Sequence, residues 1–346
     1  MSNQITVLIV DDSALIRAIL TEIISQDDRL TVIGEAIDPY DAREKIKLLS
    51  PDVLTLDIEM PKMNGIAFLK NLMRLRPMPV VMVSTLTQVG APAALEALEI
   101  GAVDFVPKPQ TTNAVDLAQY KDVIIEKLVN ASRANITKFT LDQPHDIPRS
   151  LEVKSLKSNF ICAIGASTGG TEAIKKVLQA LPKKSPPIVI TQHIPGTFSE
   201  SFTRRVDQAC EIKVYHAMHR QPIEAGCAYI APGDFHLLIK KTSLGYQCML
   251  SNTEPVNRHR PAVDVLYQSV LAQTRGNCMG VLLTGMGSDG AKELLAMRQA
   301  GCMTIAQDEA SSVVWGMPGA AVNIEAAQYV LPLERISNAI MKQARG

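Results

Sequence analysis

Long apolar runs are missing from this sequence. No stretch approaches the roughly eighteen residues that a bilayer span needs, and the amino-terminal MSNQITVLIVDDS meets two aspartates after one short apolar run. The chain is therefore expected in the cytoplasm, with no direct membrane insertion. Charge of one sign is missing too: 35 Lys and Arg balance 35 Asp and Glu, so no global field holds nucleic acid or an anionic membrane, both of which need clustered positive charge. No basic recognition helix follows residue 158, which argues against a DNA-binding output. Cysteine is sparse and unpatterned. Cys162, Cys210, Cys227, Cys248, Cys278 and Cys302 form no CxxC pair, so they read as reduced core thiols, neither a disulfide frame nor a zinc site. His216 and His219 in HAMH lack a cysteine or carboxylate neighbour and read as surface residues.

What is present is an ordinary globular composition, 47% apolar over 346 residues, long enough for two domains. From Ile5 to about Asn130, short β-branched runs alternate with segments of helical period, the signature of a parallel sheet wound on both faces. The expected strands are 6–10, 30–36, 52–56, 79–83 and 103–106. Between the first two, Leu15, Ile16, Ile19, Leu20, Ile23 and Ile24 recur at three and four, which predicts one buried helical stripe. LDQPHDIPRSLEVKSLKS (141–158) then breaks the texture with prolines, charges and little periodicity. The expected division is a first domain over 1–130, a linker over 131–158 and a second domain over 159–346. In the latter, strands are expected at 160–164, 187–191, 212–216, 228–232, 235–240, 280–284 and 302–306. The fourth and fifth are expected to form an antiparallel hairpin through Pro232, Gly233 and Asp234. The fold class is α/β in two domains: a flavodoxin-like (βα)5 unit, then a doubly wound, mostly parallel α/β unit carrying that hairpin.

In an open parallel sheet, ligands sit beyond the carboxyl ends of the strands. In the first unit those ends carry Asp11 and Asp12, then Asp57, then Ser84 and Thr85, then Lys108. Each acid alone could be a helix cap or a loop carboxylate. Together, three carboxylates at one edge repel unless a cation joins them, and a hard cation with oxygen ligands suits Mg²⁺ with a phosphate. At this point VDDS, LDIEMPKMNG, VMVST and FVPKP make the segment resemble the receiver domain of two-component response regulators. The resemblance implies that Asp57 takes a phosphoryl group from a histidine kinase and that Asp11 and Asp12, with Asp57, hold Mg²⁺. It further implies that Ser84 and Lys108 contact the phosphate, that Phe105 is the aromatic that reorients on activation, and that the Lys108–Pro109 peptide is cis.

In the second unit, FICAI runs into Gly165-Ala166-Ser167-Thr168-Gly169-Gly170 and then a helical pattern. As a dinucleotide fingerprint this fails, because GxGxxG needs glycine where Ser167 stands. As a phosphate loop it lacks the lysine that GxxxxGK[ST] places after the turn. As a nucleophile elbow, GxSxG, it fits residue for residue, and the following helix offers backbone N–H groups for an oxyanion. His193 stands at the end of the next expected strand and Asp289 follows a third, in GVLLTGMGSDG, so three strand ends supply serine, histidine and aspartate. Each has a plainer reading: an anion-binding turn, a polar cap and a helix N-cap. His236 and His259 are rival bases, ranked below His193 because only His193 follows a parallel-type strand.

IGASTGG, TQHIPGTF, APGDFH, RHRPAVDVL, LLTGMGSDGA and AQDEASSVVWGMPGAA make this unit resemble the catalytic domain of the bacterial chemotaxis protein-glutamate methylesterases, which are also protein-glutamine deamidases. The resemblance implies a serine hydrolase with Ser167 as nucleophile, His193 as base, Asp289 as its partner, and oxyanion donors at Met286 and Thr168. No cofactor is expected in this domain. The expected substrates are glutamate methyl esters and glutamines on the cytoplasmic helices of chemoreceptors, hydrolysed under phosphorylation control for chemotactic adaptation. The alternative from another class is a phosphorylation-controlled binding protein whose GASTGG turn cradles an anion.

Overall fold

Strands that read as almost unbroken apolar runs are buried on both faces, and the segments between them fold as helices that cover those faces. A computed structural model describes residues 4–84, 91–108, 114–136 and 155–345, the side chains of 114–119 excepted. The chain divides into two units, Met1–Gln143 and Pro144–Gly346.

The first unit alternates without interruption: β1 (Ile5–Val10), α1 (Ala14–Ile24), β2 (Leu30–Ala36), α2 (Pro39–Leu49), β3 (Val53–Asp57), α3 (Gly65–Leu75), β4 (Val80–Ser84), α4 (Ala91–Ile100), β5 (Asp104–Pro107) and α5 (Ala114–Ala131). The sheet order is β2-β1-β3-β4-β5, all parallel, so the chain reverses its direction of winding between β1 and β3. Helix starts are set by side-chain caps: Ser13 accepts from the Ile16 N–H, Asp38 from Tyr40 and Asp41, and Asn64 from Ala67. The α1 stripe is only partly as expected. Leu20, Ile23 and Ile24 are buried, whereas Leu15, in the first turn, is 66% exposed. Thr85 and the Lys108–Pro109 peptide lie outside the described residues.

The second unit comprises β6 (Ile161–Ala166), α6 (Gly170–Gln179), β7 (Ile188–Gln192), α7 (Gly196–Ala209), β8 (Lys213–His216), β9 (Pro222–Ile223), β10 (Cys227–Ile230), β11 (His236–Thr242), β12 (Gly245–Ser251), α8 (Val263–Thr274), β13 (Cys278–Leu282), α9 (Ala291–Gln299), β14 (Met303–Gln307), α10 (Met317–Asn323), β15 (Tyr329–Leu331) and α11 (Leu333–Gln343). Seven strands form a parallel sheet in the order β15-β14-β13-β6-β7-β10-β8. β11, β12 and β9 form a separate antiparallel sheet.

The hairpin therefore differs from expectation. The strand expected over 228–232 is β10, which runs parallel between β7 and β8; the hairpin joins β11 to β12 across Ser243 and Leu244. The Pro232-Gly233-Asp234 turn carries the chain from one sheet to the other, because β10 finds its partners at distant positions. Strand β12 was absent from the expected set, although Tyr246 and Cys248 alternate with less buried neighbours along it. Five cysteines are buried, Cys210 is partly so, and all six are free thiols.

The core of this unit packs α8 against the sheet around the fully buried Tyr267 and Tyr229. Contact is closest at Gly165, where a Cβ would stand 2.3 Å from Val263 Cγ1. Overpacking of that kind costs about 1–3 kcal/mol, so Gly165→Ala is expected to lower the urea midpoint of the full chain. In G165A/V263A the loss should be smaller than the sum of the two single losses; strict additivity would contradict the contact.

Candidate active and phosphoacceptor sites

In the first unit the carboxyl ends of β1, β3 and β5 bring Asp11, Asp57 and Lys108 together. Lys108 Nζ is 2.8 Å from Asp11 Oδ2 and 2.8 Å from Asp57 Oδ2. Asp12, exposed at the rim, joins them: carboxylate oxygens of Asp11, Asp12 and Asp57 all lie within 4.8 Å of one another. Three carboxylates against one ammonium leave net negative charge in a largely buried place. Burial pushes the Asp57 pKa up to about 6, the Asp11 charge adds to it, and Lys108 pulls against both. Burial also works against the Lys108 ammonium, yet its bonds to Asp11 and Asp57 outweigh that and hold its pKa above the usual lysine value. The Lys108 N–H donates to Ser84 O at 2.8 Å, fixing the end of β5 to the end of β4. Phe105 is buried, and Lys127 Nζ stands 5.6 Å from its ring centroid.

In the second unit, register does the same work. Ala166 pairs with Gln192 and Gly165 with both Thr191 and Leu282, so β13, β6 and β7 end side by side. The Ser167 N–H donates to Thr284 O at 3.0 Å and the His193 N–H to Ala166 O at 3.1 Å, which extends the ladders to the residues that matter. The elbow is built from small residues. Gly169 has φ +75°, and a Cβ there would fall 2.6 Å from Val313 Cβ. A Cβ at Gly285 would fall 2.8 Å from Ser167 Cβ, so the chain at Gly285–Met286 passes directly against the serine.

His193 Nε2 lies 2.9 Å from Asp289 Oδ2, with the two side chains 7% and 2% exposed. Burial raises the pKa of Asp289, but the imidazole of His193, the amide of Asn257 and the Val263 N–H overcome it and hold the carboxyl at about 2. An ionised Asp289 accepts from Nε2–H, which leaves the lone pair on Nδ1. Nδ1 is buried and makes no hydrogen bond among the described residues, and none joins it to Ser167 Oγ. Serine and histidine thus share one sheet edge as expected, without a direct bond in this state.

The rival histidines separate cleanly. His236 is fully buried with both ring nitrogens engaged, Nε2 with Glu254 O and Nδ1 with the Ala262 N–H, so it has no free lone pair for a proton. His259 stacks on His193 itself, centroids 3.7 Å apart and planes 14° apart. His216 Nε2 lies 3.0 Å from Ser199 Oγ, and His219 Nδ1 accepts from the Leu250 N–H at 3.2 Å.

Three side chains around the site were not singled out in the sequence. Gln192, buried at the end of β7, donates Nε2 to both Ser167 O and His193 O, tying the elbow to the next strand end. A glutamine closing an apolar run, PIVITQ, was the available signal. Asn257 and Asp264 flank Asp289, which also accepts from the N–H groups of Val263 and Asp264 at the start of α8. Asp289 does not cap the helix it precedes: it accepts from the first N–H groups of α8, while its Oδ2 lies 2.9 Å from His193 Nε2.

The raised Asp57 pKa has a sign that can be checked. Native Asp57 holds its proton to higher pH than the unfolded chain, so this residue's contribution to stability falls as pH rises from about 4 to about 6. Asp57→Asn is expected to add about 1–3 kcal/mol at pH 7 and little below pH 4. Metal-free urea unfolding of the full chain across that range measures it; a variant no more stable at pH 7 would contradict the burial argument.

Comparison with known proteins identifies a family for each unit. A family model described as CheB methylesterase matches residues 162–340, and one described as response regulator receiver domain matches residues 7–118. The chain is 60% identical over 345 residues to a Saccharophagus degradans protein named protein-glutamate methylesterase/protein-glutamine glutaminase 2, covering 99% of each. It is 49% identical over 373 residues to a protein of the same function name from Hydrogenovibrio crunogenus, covering 98% of each. Among solved structures, the CheB methylesterase catalytic domain of Thermotoga maritima superposes on 53% of this chain and 97% of its own, with a TM-score of 0.52 and 36% identity. The chain belongs to the CheB methylesterase family, with a response regulator receiver domain ahead of the methylesterase domain.

Proposed function

We infer that this protein hydrolyses glutamate methyl esters on the cytoplasmic helices of chemoreceptors, deamidates receptor glutamines at the same site, and is activated by phosphorylation of Asp57. The observation that carries the hydrolase reading is the His193–Asp289 pair at 2.9 Å, with a buried, unpartnered Nδ1 on the sheet edge that also holds Ser167. The names of the relatives supply the substrate class.

In this mechanism Nδ1 of His193 takes the proton from Ser167 Oγ as the oxygen attacks the γ-carbonyl of the glutamyl ester. Asp289 keeps Nε2 protonated and stabilises the imidazolium that forms. The backbone N–H groups of Met286 and Thr168 face the charge that develops on the carbonyl oxygen. His193 returns the proton to the departing methanol, then draws a proton from water as the acyl-enzyme is opened, leaving glutamate and free serine. With glutamine the leaving group is ammonia, so proton delivery by His193 weighs more.

In the first unit, residues 1–130 act as the phosphoacceptor domain and 131–158 as its linker. Asp57 receives the phosphoryl group from a histidine kinase, and Lys108 and Ser84 hold its oxygens. Asp11, Asp12 and Asp57 fit a divalent cation such as Mg²⁺, because they carry two more negative charges than Lys108 balances within a 4.8 Å cluster. When bound, the cation neutralises charge on the phosphoryl group. Among the described residues no helix is long and apolar enough to cross a membrane.

The test is methanol release from a methylated chemoreceptor fragment by the full chain, with and without acetyl phosphate and Mg²⁺. Release should rise with phosphodonor in the wild type and stay at the basal level in D57N. Ser167→Ala should lower turnover by at least about 10⁴-fold. Full turnover in S167A would overturn the hydrolase assignment, and stimulation persisting in D57N would overturn the regulatory one.

A further inference from the structure

After β12 the chain reverses at Val256–His259. These two residues exchange both backbone hydrogen bonds, Val256 N–H to His259 O at 3.0 Å and His259 N–H to Val256 O at 2.9 Å. The two residues between them, Asn257 and Arg258, both have positive φ, 53° and 67°. Such a turn needs two left-handed residues; asparagine adopts that conformation readily and arginine does so at a cost. The turn is exposed, with one function visible in its contacts: it sends one side chain to each of the two paired residues of the proposed triad.

Asn257 Nδ2 donates to Asp289 Oδ1 and to Asp264 Oδ2, both at 2.8 Å, so one amide uses both of its hydrogens on two carboxylates. Asp264 Oδ1 in turn accepts from the N–H groups of Gly290 and Glu293 at 3.0 and 3.4 Å, at the start of α9. Asp289 precedes α9 and caps α8, whereas Asp264 lies in α8 and caps α9. Two acids that would repel are thereby each bound to the other's helix and bridged by Asn257. Every oxygen of Asp289 is then engaged: Oδ2 by His193 Nε2 and the Val263 N–H, Oδ1 by Asn257 and the Asp264 N–H. His259, two residues along, lies flat on His193 at 3.7 Å. A ring in that place obstructs the χ2 flip that would exchange Nδ1 and Nε2 and break the bond to Asp289.

We propose that the Val256–His259 turn is a clamp on the triad, in which Asn257 and His259 are positioning residues that fix the carboxylate of Asp289 and the ring plane of His193. This rests on the hydrolase reading above and adds residues to it. Neither residue touches substrate in this scheme. Their loss should therefore appear in kcat, with KM unchanged.

The experiment uses the full chain with acetyl phosphate and Mg²⁺, and two readouts: methanol release from the methylated receptor fragment, and the rate at which a fluorophosphonate labels Ser167. Asn257→Ala removes two bonds to ionised groups and is expected to lower kcat by about 10- to 100-fold, with KM within about 2-fold and labelling slowed in parallel. His259→Ala is expected to cost about 10-fold, and His259→Phe, which keeps a flat ring, to recover to within about 3-fold of wild type. Wild-type kcat in N257A, a change confined to KM, or an H259F no better than H259A would each overturn the clamp. A wild-type chain that the fluorophosphonate fails to label would instead remove the triad reading beneath it.

Discussion

Parallel pairing with matched strand ends is the constraint on which both sites depend. A parallel ladder fixes neighbouring strands in register, so whatever residue follows the last paired position emerges beside its counterpart on the next strand. Ala166 opposite Gln192 makes Ser167 and His193 neighbours, although α6 and its flanking loops separate their strands in sequence. Leu282 opposite Gly165 brings the loop bearing Met286 and Asp289 to the same edge. In the first unit β1, β3 and β5 gather three acids and a lysine by the same device. In the second sheet the central strands β13, β6 and β7 carry the gathered residues; in the first, β1 and β3 flank the point where the winding changes direction, and the edge strand β5 adds Lys108.

Charge is handled in opposite ways at the two edges. Around Asp289 the protein supplies every partner itself: an imidazole, an amide and two helix N–H groups keep the carboxylate ionised despite its burial. Around Asp57 it withholds them. Burial and the neighbouring Asp11 raise the pKa, and one lysine is left to face three acids. The first arrangement suits a residue whose state must not change during a reaction. The second suits one whose charge is to be altered by an incoming phosphoryl group.

Much of this was legible in the sequence, because β-branched runs and helical stripes are local and strand ends follow from them. The order of the residues at those ends carried the site as well: DD, D, S and K in one unit, GASTGG, QH and GMGSDG in the other. What was not legible depended on pairing between distant segments. The Pro232-Gly233-Asp234 turn has hairpin chemistry, yet β10 is held by β7 and β8, and no local rule announces that preference. Asn257 and Asp264 lie in a stretch whose importance comes from meeting Asp289 across a fold, a contact that neither spacing nor periodicity encodes. His259, a rival base by its residue type alone, stacks on His193, and that contact is equally non-local.

The double duty of Asp289 bears on how such a chain would age if its hydrolase activity ceased to be needed. Ser167 lends its backbone to the sheet edge, and among the described residues its hydroxyl makes no hydrogen bond that holds another element. Asp289 holds the first turn of α8 and balances Asp264 across Asn257, and a neutral apolar residue there would strip a buried helix end of its acceptor. Loss of Ser167 would therefore cost the fold less than loss of Asp289. A descendant that keeps the aspartate and has lost the serine would be a relic of scaffold, and its aspartate would be no evidence of surviving chemistry.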